Sequence, residues 1–204
     1  LERERFGALR WFHYEFGSAG GWAPLSAYNL DRTQTGGGVL VTTGTHFLDR
    51  MLYWFGVPEI LEYQDDSYGG PEANCRARVR FDGRAGRFEG TLVLSKTVTL
   101  RNRFRLHTDD YEVELSDSET ESLSVRSRAQ PDVLMRFSQG SAGTAPDYFV
   151  AQMADFAECI RTGRPPLVDG RWGALSVKLA EDFYRLRTPL PEPWMWYRRE
   201  APHG

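Results

Sequence analysis

Gly36-Gly37-Gly38-Val39-Leu40-Val41-Thr42-Thr43-Gly44-Thr45-His46-Phe47-Leu48-Asp49, running on to Tyr53-Trp54-Phe55-Gly56-Val57-Pro58, changes character within a few residues. Three consecutive glycines carry no Cβ, so the backbone there can approach a ligand or a neighbouring element closely. Gly37 and Gly38 are candidate substrate contacts on that ground. From Thr45 to Phe55 the apolar residues Leu48, Leu52 and Phe55 recur at helical spacing, and Gly56 and Pro58 supply the stop. His46 stands at the start of this helix. A neutral imidazole there serves either as a structural hydrogen-bonder or as a donor and acceptor for a substrate hydroxyl. Asp49 follows one turn later. It can hold the imidazole tautomer, or act as a cap or ion-pair partner.

Outward from this segment the pattern splits in two. Upstream, residues 6–16 are aromatic-rich and free of Pro, which predicts a strand. A loop with Gly and Pro extends from Gly17 to about Thr35. Downstream, from Glu59 to Gln139, the period is two. Arg76–Phe81 alternates and Asp82-Gly83 is a hairpin signal. Arg87–Thr97, Val98–His107, Tyr111–Leu115, Ser122–Arg128 and Val133–Ser138 complete the candidate strands. Tight turns between neighbours imply a largely antiparallel sheet. The last third is helical: Phe149, Met153, Phe156 and Ile160 mark one helix over Asp147–Arg161, with Gly163 as its C-cap. Pro165-Pro166 precedes a second helix over Gly170–Leu186, striped by Leu175, Leu179, Phe183 and Leu186. The tail from Pro189 has prolines at alternate positions and cannot be a regular helix. The expected fold is α+β: a mostly antiparallel open sheet with helices packed on one face, as a single domain over 1–204.

Composition removes several function classes. Of 204 residues, 25 are basic and 28 acidic, interspersed, for a net charge of −3, so neither a nucleic-acid footprint nor a polybasic membrane surface is expected. The longest apolar runs fall far short of a membrane span. Cys75 and Cys159 have no metal spacing and are expected as reduced thiols in a cytoplasmic protein. The N-terminus offers no signal peptide and lacks a starting Met, so the chain is expected to belong to a longer protein.

The Gly36–Pro58 segment resembles one found in the Gfo/Idh/MocA oxidoreductases. So does the late helix pair, Tyr148 through Phe156 to Ile160, with Gly163-Arg164-Pro165-Pro166 and Val168-Asp169-Gly170 between the helices. The likeness covers nearly the whole chain, and only that family's C-terminal half. It implies the substrate domain of an NAD- or NADP-dependent enzyme acting on a sugar, sugar nucleotide or polyol. His46 occupies the family's histidine position, where it contacts substrate. Thr42 stands where the family usually has a catalytic Asp, a departure, because a threonine hydroxyl orients but is no general base at neutral pH. Tyr28, Asn29, Asp31 and Arg32 lie where the family commonly reaches toward substrate. Arg32 can fork onto a carboxylate, phosphate or uronate. The other reading of that loop is a solvated turn built on Asn29 or Asp31.

Trp11 and His13 share one strand face, suited to packing or to stacking on a sugar ring. His107 and His203 have no partners in sequence. The alternating Arg76, Arg78, Arg80, Arg101, Arg103 and Arg105 predict a solvated or inter-subunit sheet face. Neither Gly17–Gly21 nor Gly36–Gly44 has the spacing of a dinucleotide-binding turn. The chain is therefore expected to lack the N-terminal dinucleotide-binding domain and to bind no cofactor alone. Its expected partners are a small carbohydrate and a second copy across the open sheet face. Thr42 keeps an alternative open: a sugar-binding or dimerisation module that has lost its base.

Overall fold

Strand β1 (Leu9–Gly17) is central, and its side chains set which face of the sheet is core. Leu9, Phe12 and Tyr14 are buried on one side, while Trp11, His13 and Glu15 point to the other. A bulge between Leu9 and Trp11 brings Leu9 and Phe12 to the same face. The structure, a computed structural model, describes residues 6–19, 27–83, 86–116, 122–130, 134–138 and 148–191. His203 and the aromatic tail beyond Pro191 lie outside the described residues.

After β1 come a 3-10 turn (Ala27–Leu30), the short helix α1 (Arg32–Thr35), a π-helical turn (Leu40–Gly44) and helix α2 (Thr45–Phe55). Seven strands follow: β2 (Glu59–Asp65), β3 (Asn74–Gly83), β4 (Gly86–Ser95), β5 (Arg103–Thr108), β6 (Tyr111–Ser116), β7 (Ser122–Ser127) and β8 (Leu134–Ser138). Helices α3 (Tyr148–Thr162) and α4 (Gly170–Arg185) lead to β9 (Arg187–Pro189). The described strands form one nine-stranded sheet in the order β8-β7-β6-β5-β1-β4-β3-β2-β9.

The fold is α+β, but the sheet is mixed rather than mostly antiparallel. Strands joined by tight turns, such as β3 and β4 or β5 and β6, do pair antiparallel. The central ladder of β1 with β4 and the edge ladder of β2 with β9 are parallel. Both join strands far apart in sequence, where no turn constrains direction. β2 and β9 are also additional to the strands that the alternating pattern marks out.

The core is aromatic. Phe12 is fully buried, and its ring lies 5.6–6.4 Å from those of Phe47, Phe55, Phe81, Phe88 and Phe104. Tyr14 stacks on Phe47 at 4.0 Å, which fixes α2 across the centre of the sheet. Gly90 of β4 leaves the space that the Phe12 ring fills: a Cβ there would lie 2.1 Å from the ring. α4 packs beside α2, and Phe183 meets Tyr63 of β2. The expectation of helices packed on one face holds for α2 and α4. α3 departs from it: its stripe of Phe149, Met153, Phe156 and Ile160 is more than half exposed at every position.

Candidate functional site

The site is built around the N-terminus of α2. Before it, Asp31 caps α1: one carboxylate oxygen accepts from Thr33 N (2.9 Å) and Thr33 Oγ1 (2.7 Å), the other from Gln34 Nε2 (2.8 Å). The Arg32 guanidinium lies over the Tyr184 ring, 4.9 Å from its centroid, and donates to Ser67 Oγ at 3.2 Å. Both groups thus have partners within the protein. Asn29 is half-buried and Tyr28 exposed in the 3-10 turn. Gly36 ends α1 in the left-handed region, at φ 75°, and donates to Arg32 O.

Gly37 and Gly38 are buried, and the close approach that they permit is to the protein itself. A Cβ on Gly37 would lie 2.0 Å from Tyr184 Oη, and one on Gly38 would lie 1.9 Å from the main-chain oxygen of Glu72. Glu72 is 1% exposed. Its carboxylate accepts from Gly38 N (2.8 Å), Leu40 N (2.9 Å) and Tyr184 Oη (2.7 Å), and its carbonyl accepts from Val39 N (2.8 Å). These main-chain N–H groups are among those that a helix start leaves without intrahelical partners. Burial and the adjacent Glu72 carboxylate push the Tyr184 phenol well above its ordinary range, so it remains a donor. Burial pulls Lys96 down to about 8, against the pull of Glu72 in the other direction.

Past this anchor the chain takes a π-turn, a wider turn that recurs at functional sites. Leu40, Gly44, Phe47 and Leu48 go to the core, while Thr42 and His46 are exposed on the same continuous helix, about a turn apart. Thr42 donates its hydroxyl proton to Gly38 O at 2.9 Å. Toward a ligand Thr42 therefore offers lone pairs only. Asp49 does not serve His46. Its Oδ1 accepts from Trp172 Nε1 (2.8 Å) and Ser176 Oγ (3.2 Å), tying α2 to α4.

The remaining sequence candidates lie on the opposite face of the sheet. Trp11 stacks on His107 at 4.0 Å, and His13 Nδ1 bonds Thr91 Oγ1 at 2.6 Å. Burial pushes the His107 imidazole down, against Glu112 at 3.3 Å. The arginines of this face sit among carboxylates: Arg80 between Glu59 and Glu89, and Arg103 between Glu15 and Glu114. Sequence reasoning missed Glu72 and Tyr184. Nothing local marks them, because their partners lie 32 or more residues away for Glu72 with Leu40, and 112 for Glu72 with Tyr184.

The starts of α1, α2 and α4 offer a dinucleotide no phosphate site. A pyrophosphate needs free N–H groups at a helix start. Here Asp31 occupies that place on α1, Glu72 on the turn into α2, and Asp169 on α4 through Arg171 N and Trp172 N. Each is a carboxylate that would repel a phosphate.

Residues 1–187 match the family model described as "Oxidoreductase family, C-terminal alpha/beta domain". No curated protein matches the sequence. Among solved structures, levoglucosan dehydrogenase in complex with NADH and levoglucosan is similar at 16% identity and a TM-score of 0.67, over 90% of this chain and 59% of that one. An oxidoreductase from Agrobacterium radiobacter, in complex with NAD+, L-tartaric acid and magnesium, is similar at 14% identity and 0.64, over 90% of this chain and 56% of that one. An oxidoreductase domain protein from Kribbella flavida gives 14% and 0.65, over 90% and 57%. At these identities the likeness is one of fold, and this chain spans less than two thirds of each structure's length.

Proposed function

As the chain belongs to the Gfo/Idh/MocA oxidoreductase family, through that family's C-terminal alpha/beta domain, we propose that it is the substrate-binding domain of an NAD- or NADP-dependent oxidoreductase. Its substrate would carry a reacting hydroxyl or ketone, as a sugar, sugar nucleotide or polyol does. The observation that carries this reading is the placement of Thr42 and His46 on the exposed side of a helix start whose residues from Val39 to Leu48 are otherwise buried or half-buried. His46 holds or accepts the proton of the reacting hydroxyl. Thr42, its own proton committed to Gly38 O, accepts a hydrogen bond from the substrate and orients it. Levoglucosan and L-tartaric acid, bound by the two relatives above, are both small hydroxylated molecules, which supports this substrate class.

The cofactor would sit on a further domain of the parent protein. The exposed apolar stripe of α3 supports that arrangement: a helix with Phe149, Met153, Phe156 and Ile160 all in water gains little from being helical until something covers them. The Asn29–Arg32 segment borders the same glycine turn and is proposed as the substrate-facing edge, with Arg32 steadied by Tyr184. On the other sheet face, interleaved Arg and Glu with Trp11 form a self-complementary surface, proposed as the contact between two copies.

The test is turnover by the full-length protein, with NAD+ and with NADP+, across a panel of sugars, polyols and hydroxy acids. His46→Ala is expected to lower kcat by roughly 10²–10⁴-fold. Unchanged turnover and affinity in that variant sink the reading. Thr42 favours a second reading, a sugar-binding or dimerisation module without catalysis, because it replaces a carboxylate with a group that is no base. Sugar binding by the full-length protein, with no turnover on any panel member, selects it.

A further inference from the structure

We infer that Glu72 is a positioning residue: it sets the N-terminal turn of the π/α2 helix and thereby aims Thr42 and His46 at the substrate. The inference rests on the proposed roles of those two residues. Glu72 is on neither the helix nor its exposed face. It closes the Gly69-Gly70 loop and enters from beneath, where it is 1% exposed. One carboxylate oxygen takes Gly38 N–H; the other takes Leu40 N–H and the Tyr184 phenol. The Glu72 carbonyl takes Val39 N–H between them. Three successive amides of the helix start are thus held by one residue in trans. The geometry admits no slack, because glycine at 38 is in backbone contact with Glu72.

The link to the exposed face is short. Thr42 N and Thr42 Oγ1 both donate to Gly38 O, so the plane of the Gly38 peptide fixes the hydroxyl that faces a ligand. The N–H of that peptide, Val39 N, is held by the Glu72 carbonyl, and the Glu72 carboxylate holds the peptides on either side of it through Gly38 N and Leu40 N. His46 follows a turn later on the same rigid rod. A full negative charge is also favoured at this spot, since the helix start presents partial positive charge. With Glu72→Gln the charge is lost, and an amide NH2 faces a main-chain N–H, so at least one of the two amide bonds breaks. The helix start then rotates or frays. Tyr184, reached by the same carboxylate, supports Glu72 from α4 and also carries Arg32 on its ring.

The experiment uses the full-length protein with Glu72→Gln, Glu72→Asp and Tyr184→Phe. A misplacement of about 1 Å at reacting groups costs up to roughly 10²-fold in rate. Glu72→Gln is therefore expected to lower kcat by about 10- to 100-fold while KM changes by less than about threefold. Tyr184→Phe, which keeps both amide bonds, is expected to lose less than about a third as much on a logarithmic scale. Glu72→Asp keeps the charge and should recover part of the loss. Independently of turnover, amide exchange at Gly38 and Leu40 should accelerate in Glu72→Gln, and the His46 ring resonances should shift. Folded Glu72→Gln with wild-type exchange at both amides and unmoved His46 resonances overturns the inference, whatever the activity. Tyr184→Phe matching Glu72→Gln in every readout also overturns it, by making the phenol the anchor. Should Glu72→Gln not fold, Glu72→Asp decides on the same two spectroscopic readouts. If the resonances shift but no panel substrate is turned over, the positioning stands and the oxidoreductase reading fails.

Discussion

Adding one methyl group in turn at Gly36, Gly37 and Gly38 separates three different reasons for glycine. At Gly38 the new Cβ would stand 1.9 Å from Glu72 O, 2.5 Å from Glu72 N and 2.7 Å from Glu72 C. Main chain cannot swing aside as a side-chain tip can, so clearing contact takes a shift of roughly 1.5 Å. Such a shift breaks the bonds of 2.8–2.9 Å from Gly38, Val39 and Leu40 to Glu72. Two of these go to a buried carboxylate. At about 1–1.5 kcal/mol per bond, Gly38→Ala is expected to cost about 3–5 kcal/mol. At Gly37 the obstacle is the Tyr184 hydroxyl at 2.0 Å, the end of a side chain, and moving it breaks one bond to Glu72. That loss is about 1.5–3 kcal/mol. At Gly36 the space is open and only the φ of 75° resists a side chain, for about 1 kcal/mol. Urea unfolding followed by circular dichroism and Trp fluorescence reads all three. Gly70→Ala, with open space and no positive φ, serves as the near-neutral control. A Gly38→Ala cost no greater than that of Gly36→Ala would refute the reasoning.

Three further outcomes follow from the same structure. Burial pushes the Glu15 carboxyl up, but His13, whose Nε2 lies 3.8 Å away, and the Arg103 guanidinium, which donates at 2.6 Å, outweigh it and hold the group at about 2. Because this lies below the unfolded value, Glu15 stabilises the fold above pH of about 4.5, and that contribution, on the order of 3 kcal/mol, is lost as pH falls toward 2. Glu15→Gln should flatten the acid limb of a stability-versus-pH curve, and an unchanged limb counts against the ion pair. Phe12→Ala empties the centre of the aromatic cluster and should cost about 3–5 kcal/mol in the same urea assay; a loss below about 1 kcal/mol would mean that the cluster is not the core. Asp49→Ala removes the acceptor shared by Trp172 and Ser176 and should cost about 1–2 kcal/mol. A Trp172→Phe, Asp49→Ala double mutant that loses the full sum of the single changes would show that the bond contributes nothing.

Much of the secondary structure is legible locally because its causes are local. The 4-3-4 spacing of Phe149, Met153, Phe156 and Ile160 marks a helix, and Gly163, at φ 70°, closes it with a bond to Cys159 O. Asp82-Gly83 leads into the β3–β4 hairpin. The same stripe says nothing of what it packs against, and in this chain it is exposed.

The α+β class and the helical run from Thr45 to Phe55 are thus determined by the sequence itself, since each depends on spacing and residue chemistry within a few turns of chain; that the same helix begins earlier, with the π-turn at Leu40, is not. The direction of the β1–β4 and β2–β9 ladders was decided only by the tertiary structure. So were the tie of Asp49 to Trp172 and Ser176 and the place of Glu72 beneath the glycines. Each of those depends on which distant segment arrives next to which. Loop closure across 32 to 127 residues leaves no periodic trace in the residues that it brings together.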